Sequence, residues 1–350
     1  MRANHIPPEP SICGDCSSTQ LRMSFSYWYY LITNFCVNRL MHYVPMPIMA
    51  RLVPKISLEN LGKYVQSIAK RPIPNLNEVI EVPLLESGKC RWLARPENLG
   101  PEDPVIIFIH GGGYALPAVC NHGISMDHIY ENLTNKRVGA LWLDYTLSTH
   151  ARFPQQLREA AAVNETVTET YKNVILIGDS CGAHLAISLL RHIHEPVNGV
   201  QPLTTSVKPQ TLIAVSPWLD VLPDIENHYK SYDEFHFQDV FTYWTLRGFG
   251  NMAIPLDDAE LAKEMCTMHL RDEHFWNAIL PPNVLITYGT NETLRDSILV
   301  FIENAKLVGR SATTEIFAEE GGVHDSLVFE PPQKNRLVRA IYTYLNKLDI

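Results

Sequence analysis

The chain has 350 residues, 46% hydrophobic and 19% charged, enough for one large α/β domain with a cap or for two smaller domains, each with an ordinary core. Its formal net charge is −9, and the acidic residues are spread along the sequence without any basic run, which excludes nucleic acid as a partner. Solubility alone accounts for that charge, so it says nothing further about substrate.

Cysteine usage is equally sparing in what it implies. Of seven cysteines only Cys13 and Cys16 form a C-x-x-C pair, with no second pair to complete a zinc site. They read as a free pair, and a chain of this length needs no disulfides, so the compartment stays open.

The N-terminal residues are polar and lack the apolar core of a secretory signal peptide. An uncharged, aromatic-rich run follows at residues 23–37, closed by Arg39. It falls short of the roughly 18–20 apolar residues that span a bilayer. Two readings stand. One is a cap helix over a substrate pocket. The other is membrane association through about residues 23–50, where Tyr27-Trp28-Tyr29-Tyr30 would suit an interface. The first is compatible with the cytoplasm, the second with the endoplasmic reticulum membrane. N-x-[ST] sequons at Asn132, Asn164 and Asn291 occur at about the chance rate and do not decide the route.

From about residue 78, short β-branched runs alternate with helical patterns, the mark of a mostly parallel sheet with helices on both faces. Eight strands are expected: Val79–Leu84, Cys90–Ala94, Val105–Ile109, Ala140–Asp144, Val174–Ile177, Leu212–Ser216, Val284–Tyr288 and Thr314–Phe317. The central ones are continuously apolar, as strands covered on both faces should be. Helices are expected at His122–Leu133, Gln155–Tyr171, Ala183–His194, Asn291–Leu307 and Asn335–Leu348. Residues 1–75 and an aromatic-rich stretch at about 219–278 lack strand signal. They read as a cap and a lid on a domain spanning 76–350, supplying an apolar wall that excludes water.

The strongest local signal is Gly178-Asp179-Ser180-Cys181-Gly182, placed between a buried strand and a helix. A tight strand-to-helix turn there exposes the Ser180 hydroxyl over a helix N-terminus, where partial positive charge favours a developing oxyanion. The second is His110-Gly111-Gly112-Gly113-Tyr114 at the end of another buried strand. Its glycines can offer bare N–H groups, while the lysine and spacing of a phosphate loop are missing. Gly112, Gly113 and Cys181 are the expected oxyanion-hole donors, with Gly111 shaping the turn and His110 orienting the loop.

Together these motifs resemble the hormone-sensitive-lipase-like branch of the α/β-hydrolases, over roughly residues 80–348. Asp144-Tyr145-Thr146-Leu147 is similar to that family's D-Y-x-L segment, although Thr146 stands where arginine is common and Ser148-Thr149-His150 replaces an A-P-E stretch. Residues 152–157 resemble the fungal steryl acetyl hydrolase subgroup. The resemblance implies an α/β-hydrolase fold with a triad in the order Ser, Asp/Glu, His. His324, in a Gly-rich loop after the last strand, fills the histidine position; His184, His192, His194, His269 and His274 read as packing or surface residues. Glu292 stands where the family usually has aspartate, with Asp296 as the alternative one helical turn on.

Chemically, His324 would deprotonate Ser180, the oxyanion hole would hold the tetrahedral intermediate, and water would release the acyl group. This needs neither metal nor cofactor. The implied activity is a carboxylesterase acting on short or medium acyl esters of a lipophilic alcohol, with steryl acetates as candidates. An amidase or formamidase on the same triad, or a non-catalytic receptor for a small molecule, are the competing readings.

Overall fold

The computed structural model describes residues 43–223, 228–348 and 350; Cys13, Cys16 and the aromatic run at 23–37 lie outside them. Along the chain come α1 (Met46–Leu52), α2 (Leu58–Ala69), β1 (Cys90–Ala94), β2 (Pro104–Ile109), α3 (Cys120–Glu131), β3 (Gly139–Leu143), α4 (Gln155–Thr170), β4 (Asn173–Asp179), α5 (Cys181–His194) and β5 (Thr211–Val215). The stretch after β5 carries α6 (Lys230–Glu234), α7 (Tyr243–Ala253), α8 (Ala259–Cys266) and α9 (Glu273–Ile279). Then follow β6 (Asn283–Gly289), α10 (Arg295–Asn304), β7 (Thr314–Glu319), α11 (Ser326–Phe329) and α12 (Arg336–Lys347).

The seven strands form one sheet in the order β1-β3-β2-β4-β5-β6-β7. Only the β1–β3 pair is antiparallel. This is the α/β-hydrolase fold. Because side chains alternate between sheet faces, each continuous apolar run feeds two cores. Val105, Ile107 and Ile109 of β2 join Leu157 of α4, Leu185 of α5 and Phe249 of α7 on one face. Ile106 and Phe108 join Leu61 of α2, Met126 of α3 and Ile341 of α12 on the other.

One expected strand is absent. Val79–Leu84 contributes a single antiparallel bridge, Val79 to Arg91, and then leaves the ladder. Pro83 has no N–H to give, and Leu84 takes φ 68°, a left-handed turn conformation incompatible with an extended strand. The sheet among the described residues is therefore seven-stranded rather than eight-stranded. A helix boundary also moved. Residues 291–294 are spent in a turn, with Arg295 N–H donating to Glu292 O at 3.2 Å, so α10 starts at Arg295 rather than Asn291.

α1 buries Met46 and Met49, and Met46 packs so close to Gly248 of α7 that a Cβ there would sit 2.9 Å from Met46 Cγ. The N-terminal part of the described chain thus rests on the strand-free stretch. No helix among the described residues is long and apolar enough to cross a membrane.

Phe108 lies 1% exposed between Trp142 and His122, with ring centroids 5.9 and 6.0 Å away. Phe108→Ala is expected to cost about 3–5 kcal/mol in urea unfolding. Leu84→Ala, at a site 71% exposed, should change stability by no more than about 0.5 kcal/mol; equal effects would contradict this core assignment.

Candidate active site

β4 runs into α5 through Ser180, whose backbone stands at φ 52°, ψ −118°, outside the regions an L-residue favours. Three backbone bonds hold it there: Ser180 N–H to Val215 O at 2.8 Å, and Ser180 O accepting from His184 N at 3.2 Å and Trp218 N at 3.1 Å. The flanking glycines are required by close approach. A Cβ on Gly178 would stand 2.5 Å from Gly182 C, and one on Gly182 only 2.1 Å from Ile109 O. The turn therefore sits directly against the end of β2.

His324 follows β7 in the expected loop, and its Nε2 lies 3.0 Å from Ser180 Oγ. The ring is fully buried, with Phe241 edge-on at 5.1 Å. Burial pushes its pKa down to about 3, so the imidazole is neutral and able to take a proton. Its Nδ1 has no hydrogen-bond partner and faces Glu292 Oε2 at 3.9 Å, beyond bonding distance.

Glu292 is buried as well. Its Oε2 accepts from Ser216 Oγ at 2.7 Å and Gly289 N at 3.1 Å, while Oε1 has no partner. Burial first, and the Asp239 carboxylate second, hold this carboxyl well above the usual range. The Glu292 and His324 loops are tied together, since Asn291 N–H donates to Gly322 O at 2.8 Å. Asp296 points elsewhere, accepting from Ser231 N at 3.0 Å and Arg295 Nε at 2.9 Å.

The glycine loop after β2 meets the elbow. Gly112 at φ 111° and Gly113 at φ 59° occupy the left-handed region, and a Cβ on Gly113 would collide with the Phe249 ring at 2.4 Å. Gly111 offers no free amide, because its N–H is spent on Asp179 Oδ2 at 2.8 Å. It shapes the turn. The amides of Gly112 and Cys181 donate to no protein acceptor among the described residues. The Cys181 sulfur accepts from Tyr114 N at 3.1 Å, and the Gly113 N–H also faces it. Burial pushes that thiol up to about 12, which removes it as a nucleophile. His110 stacks on Tyr145 with centroids 4.4 Å apart, and Nδ1 bonds the Gly111 carbonyl at 2.7 Å. It orients the loop.

The five other histidines weighed from the sequence do structural work or face solvent. His184 bridges Tyr114 Oη at 2.7 Å and Met265 O at 2.9 Å; His192 bonds Gln201 O at 2.9 Å; His269 bonds Tyr229 Oη at 3.0 Å. His194 and His274 are exposed. Where arginine is common, Thr146 is held by Glu159 through its N–H at 2.6 Å and hydroxyl at 2.5 Å, and Lys55 pairs with Asp144 at 3.0 Å. The Asn164 side chain is fully buried and has no room for a glycan.

One residue escaped the sequence reading. Asp239, in the stretch between β5 and β6, is fully buried. Its Oδ1 accepts from His324 N at 2.8 Å and Val240 N at 2.7 Å, and its Oδ2 from Thr293 N at 2.6 Å and Thr293 Oγ1 at 2.7 Å. It therefore clamps the His324 loop to the loop carrying Glu292. A single aspartate among aromatics carries no motif, so nothing in the sequence marked it.

A family model described as steryl acetyl hydrolase matches residues 32–334. The mug81 protein of Schizosaccharomyces pombe, a candidate steryl acetyl hydrolase by its description, is 26% identical over 279 residues, covering 73% of this chain and 71% of its own length. Steryl acetyl hydrolase 1 of Saccharomyces cerevisiae is 25% identical over 275 residues, covering 73% of this chain and 62% of its own. Among solved structures, a fungal esterase structure from Rhizomucor miehei superposes with a TM-score of 0.61 at 22% identity, over 86% of this chain and 94% of that one. An esterase of the bacterial hormone-sensitive lipase family gives 0.59 at 20% identity, over 89% and 97%. These two likenesses concern the fold.

Asp239→Asn would turn an acceptor into a donor where N–H groups converge. It is expected to cost about 1–3 kcal/mol of stability and, by loosening His324, to slow p-nitrophenyl acetate hydrolysis by up to about 10²-fold. Urea unfolding and initial rates on the same preparation check both; a variant unchanged in both would refute the clamp.

Proposed function

The chain belongs to the steryl acetyl hydrolase family of carboxylic ester hydrolases, and we propose that it removes short acyl groups, acetyl foremost, from a lipophilic alcohol such as a sterol through an acyl-enzyme on Ser180. The observation that carries this reading is the 3.0 Å approach of His324 Nε2 to Ser180 Oγ beside unspent backbone amides. His324 takes the Ser180 proton as the oxygen attacks the ester carbonyl. The N–H groups of Gly112 and Cys181 bind the oxyanion, while that of Gly113, grouped with them from the sequence, faces the Cys181 sulfur instead. The imidazolium then protonates the departing alcohol, and a water activated by the same ring releases the acid.

Glu292 stabilises the imidazolium in this scheme. The Ser216 hydroxyl and Gly289 N–H on its Oε2 help hold the negative charge. In a buried, low-dielectric setting the new positive charge draws the 3.9 Å pair into hydrogen-bond range. The described residues 43–75, resting on the insertion at 219–278 through Met46 and Gly248, form with it the cap of the hydrolase domain. Phe241 against His324 and Phe249 against Gly113 suit an apolar alcohol and keep water from the acyl-enzyme. The identity of the alcohol rests on the family and on the names of the two yeast relatives.

Rates on a sterol acetate, p-nitrophenyl acetate and butyrate, and a matching acetanilide test the reading. Ser180→Ala is expected to lose roughly 10⁴-fold or more in kcat, and Glu292→Gln about 10⁴-fold, with Asp296→Asn near wild type. Persistent hydrolysis in Ser180→Ala would overturn the mechanism, loss in Asp296→Asn with normal Glu292→Gln would move the acid role, and faster anilide cleavage would favour an amidase.

The pH profile carries a separate expectation. His324 stays neutral down to about pH 3, whereas the Glu292 carboxyl is raised, so activity should fall with decreasing pH as Glu292 becomes protonated. In the residual activity of Glu292→Gln that acid limb should shift to lower pH; an unmoved limb would contradict the assignment.

A further inference from the structure

The residue before Ser180 and the residue after His324 are both aspartates, and both are buried. Asp179 ends β4, and Asp325 precedes α11 at φ 54°. Their side chains meet beneath the site in a cluster with His122, the ligand atoms of all three lying within 4.8 Å of one another. A carboxyl oxygen of Asp179 thus lies within 4.8 Å of one of Asp325, with no cation among the described residues between them. Two ionised carboxylates cannot bond, and two buried like charges at this range repel strongly.

The partners of each oxygen decide what sits between them. Asp179 Oδ2 accepts from Gly111 N at 2.8 Å. Val119 N–H donates to His122 Nδ1 at 3.0 Å, and a backbone amide can only donate. The neutral ring therefore carries its proton on Nε2, which donates to Asp179 Oδ2 at 3.3 Å. A nitrogen so protonated has no lone pair for a cation, which argues against reading the cluster as a metal site. Asp179 is thus the acceptor, satisfied on one oxygen. Asp179 Oδ1 and Asp325 Oδ1, however, are buried with no hydrogen-bond partner.

We infer that Asp325 holds a proton and shares it with Asp179, and that this acid–carboxylate pair locks the Ser180 turn to the His324 loop at catalytic distance. The proton removes one of two buried charges and bonds the two carboxyl groups. Burial pushes Asp179 up to about 7 and holds Asp325 well above the usual carboxylate range, and the two donors on Asp179 Oδ2 leave Asp325 as the proton's holder. The pair also explains how Gly111 is fixed, since the same Asp179 anchors the glycine loop. Three parts of the site are thereby set by one hydrogen-bonded cluster. These are positioning residues, and the inference rests on the Ser180–His324 reading above.

The charged and titratable groups around the pair are His122 from α3, His110 at 5.9 Å from His122, Tyr145, Cys181, Asp239 from the stretch between β5 and β6, Glu292 from the loop after β6, and His324 itself. None of the histidines is held in its charged form, so a second ionisation of the pair has no cation to offset it. Rising pH should strip the shared proton, set two carboxylates against each other and separate the loops. Activity should then show an alkaline limb belonging to the pair.

Asp325→Asn supplies a permanent donor in the same shape. It is expected to keep kcat within about an order of magnitude and to lose the alkaline limb, while Asp325→Ala should fall by about 10²-fold. Infrared difference spectra at neutral pH should show a protonated carboxyl band that Asp325→Asn removes, in wild type and in a Ser180→Ala background alike. The spectrum does not depend on turnover, so it separates this inference from the catalytic reading. No band lost in Asp325→Asn, an alkaline limb unchanged in that variant, or Asp325→Asn as impaired as Asp325→Ala would each overturn the shared proton.

Discussion

The end of β2 and the start of α5 press together until no side chain fits between them. A Cβ on Gly182 would lie 2.1 Å from the Ile109 carbonyl oxygen, and one on Gly111 would lie 2.1 Å from Asp179 Oδ2. That contact forces Ser180 into a strained backbone conformation and brings the glycine loop alongside it. The sheet bears the strain, because β2 and β4 are paired along their length and covered on both faces. Everything proposed for catalysis depends on this approach, which puts a hydroxyl, a helix N-terminus and bare amides within one small volume.

The same constraint explains why so much could be read from the sequence. Where backbones touch, only glycine is tolerated, so Gly178, Gly182 and Gly111 to Gly113 are written into the chain as motifs. Continuous apolar strands are legible for a similar reason, since a strand covered twice cannot alternate. His324 was legible because a Gly-rich loop after the last strand is the place from which a ring can reach Ser180. Val79–Leu84 misled because its β-branched composition outweighed Pro83 and the turn at Leu84.

Asp239 and the Asp179–Asp325 pair were not legible. Their value lies in which N–H groups and which carboxyl they meet, and those partners come from segments far apart in the chain. Asp239 sits 85 residues before the His324 amide that it accepts from. A polar residue of this kind leaves no periodicity and no motif. Spacing alone could not show that Glu292 would stand 3.9 Å from His324, or that it would rest on Ser216.

A common electrostatic theme joins these groups. His324 is held neutral, Glu292 and Asp325 are held toward their protonated forms, and Cys181 is held as a thiol, all by burial. Burial favours the uncharged form of each of these groups, and charge separation is favoured only where donors have been placed to receive it. The most direct test is to quench the protein in acid during turnover of an acetate ester and map acetylated peptides by mass spectrometry. Acetyl on Ser180, absent from Ser180→Ala, is the expected result. Acetyl on another residue, or turnover in Ser180→Ala with no acyl-enzyme formed, would contradict the account.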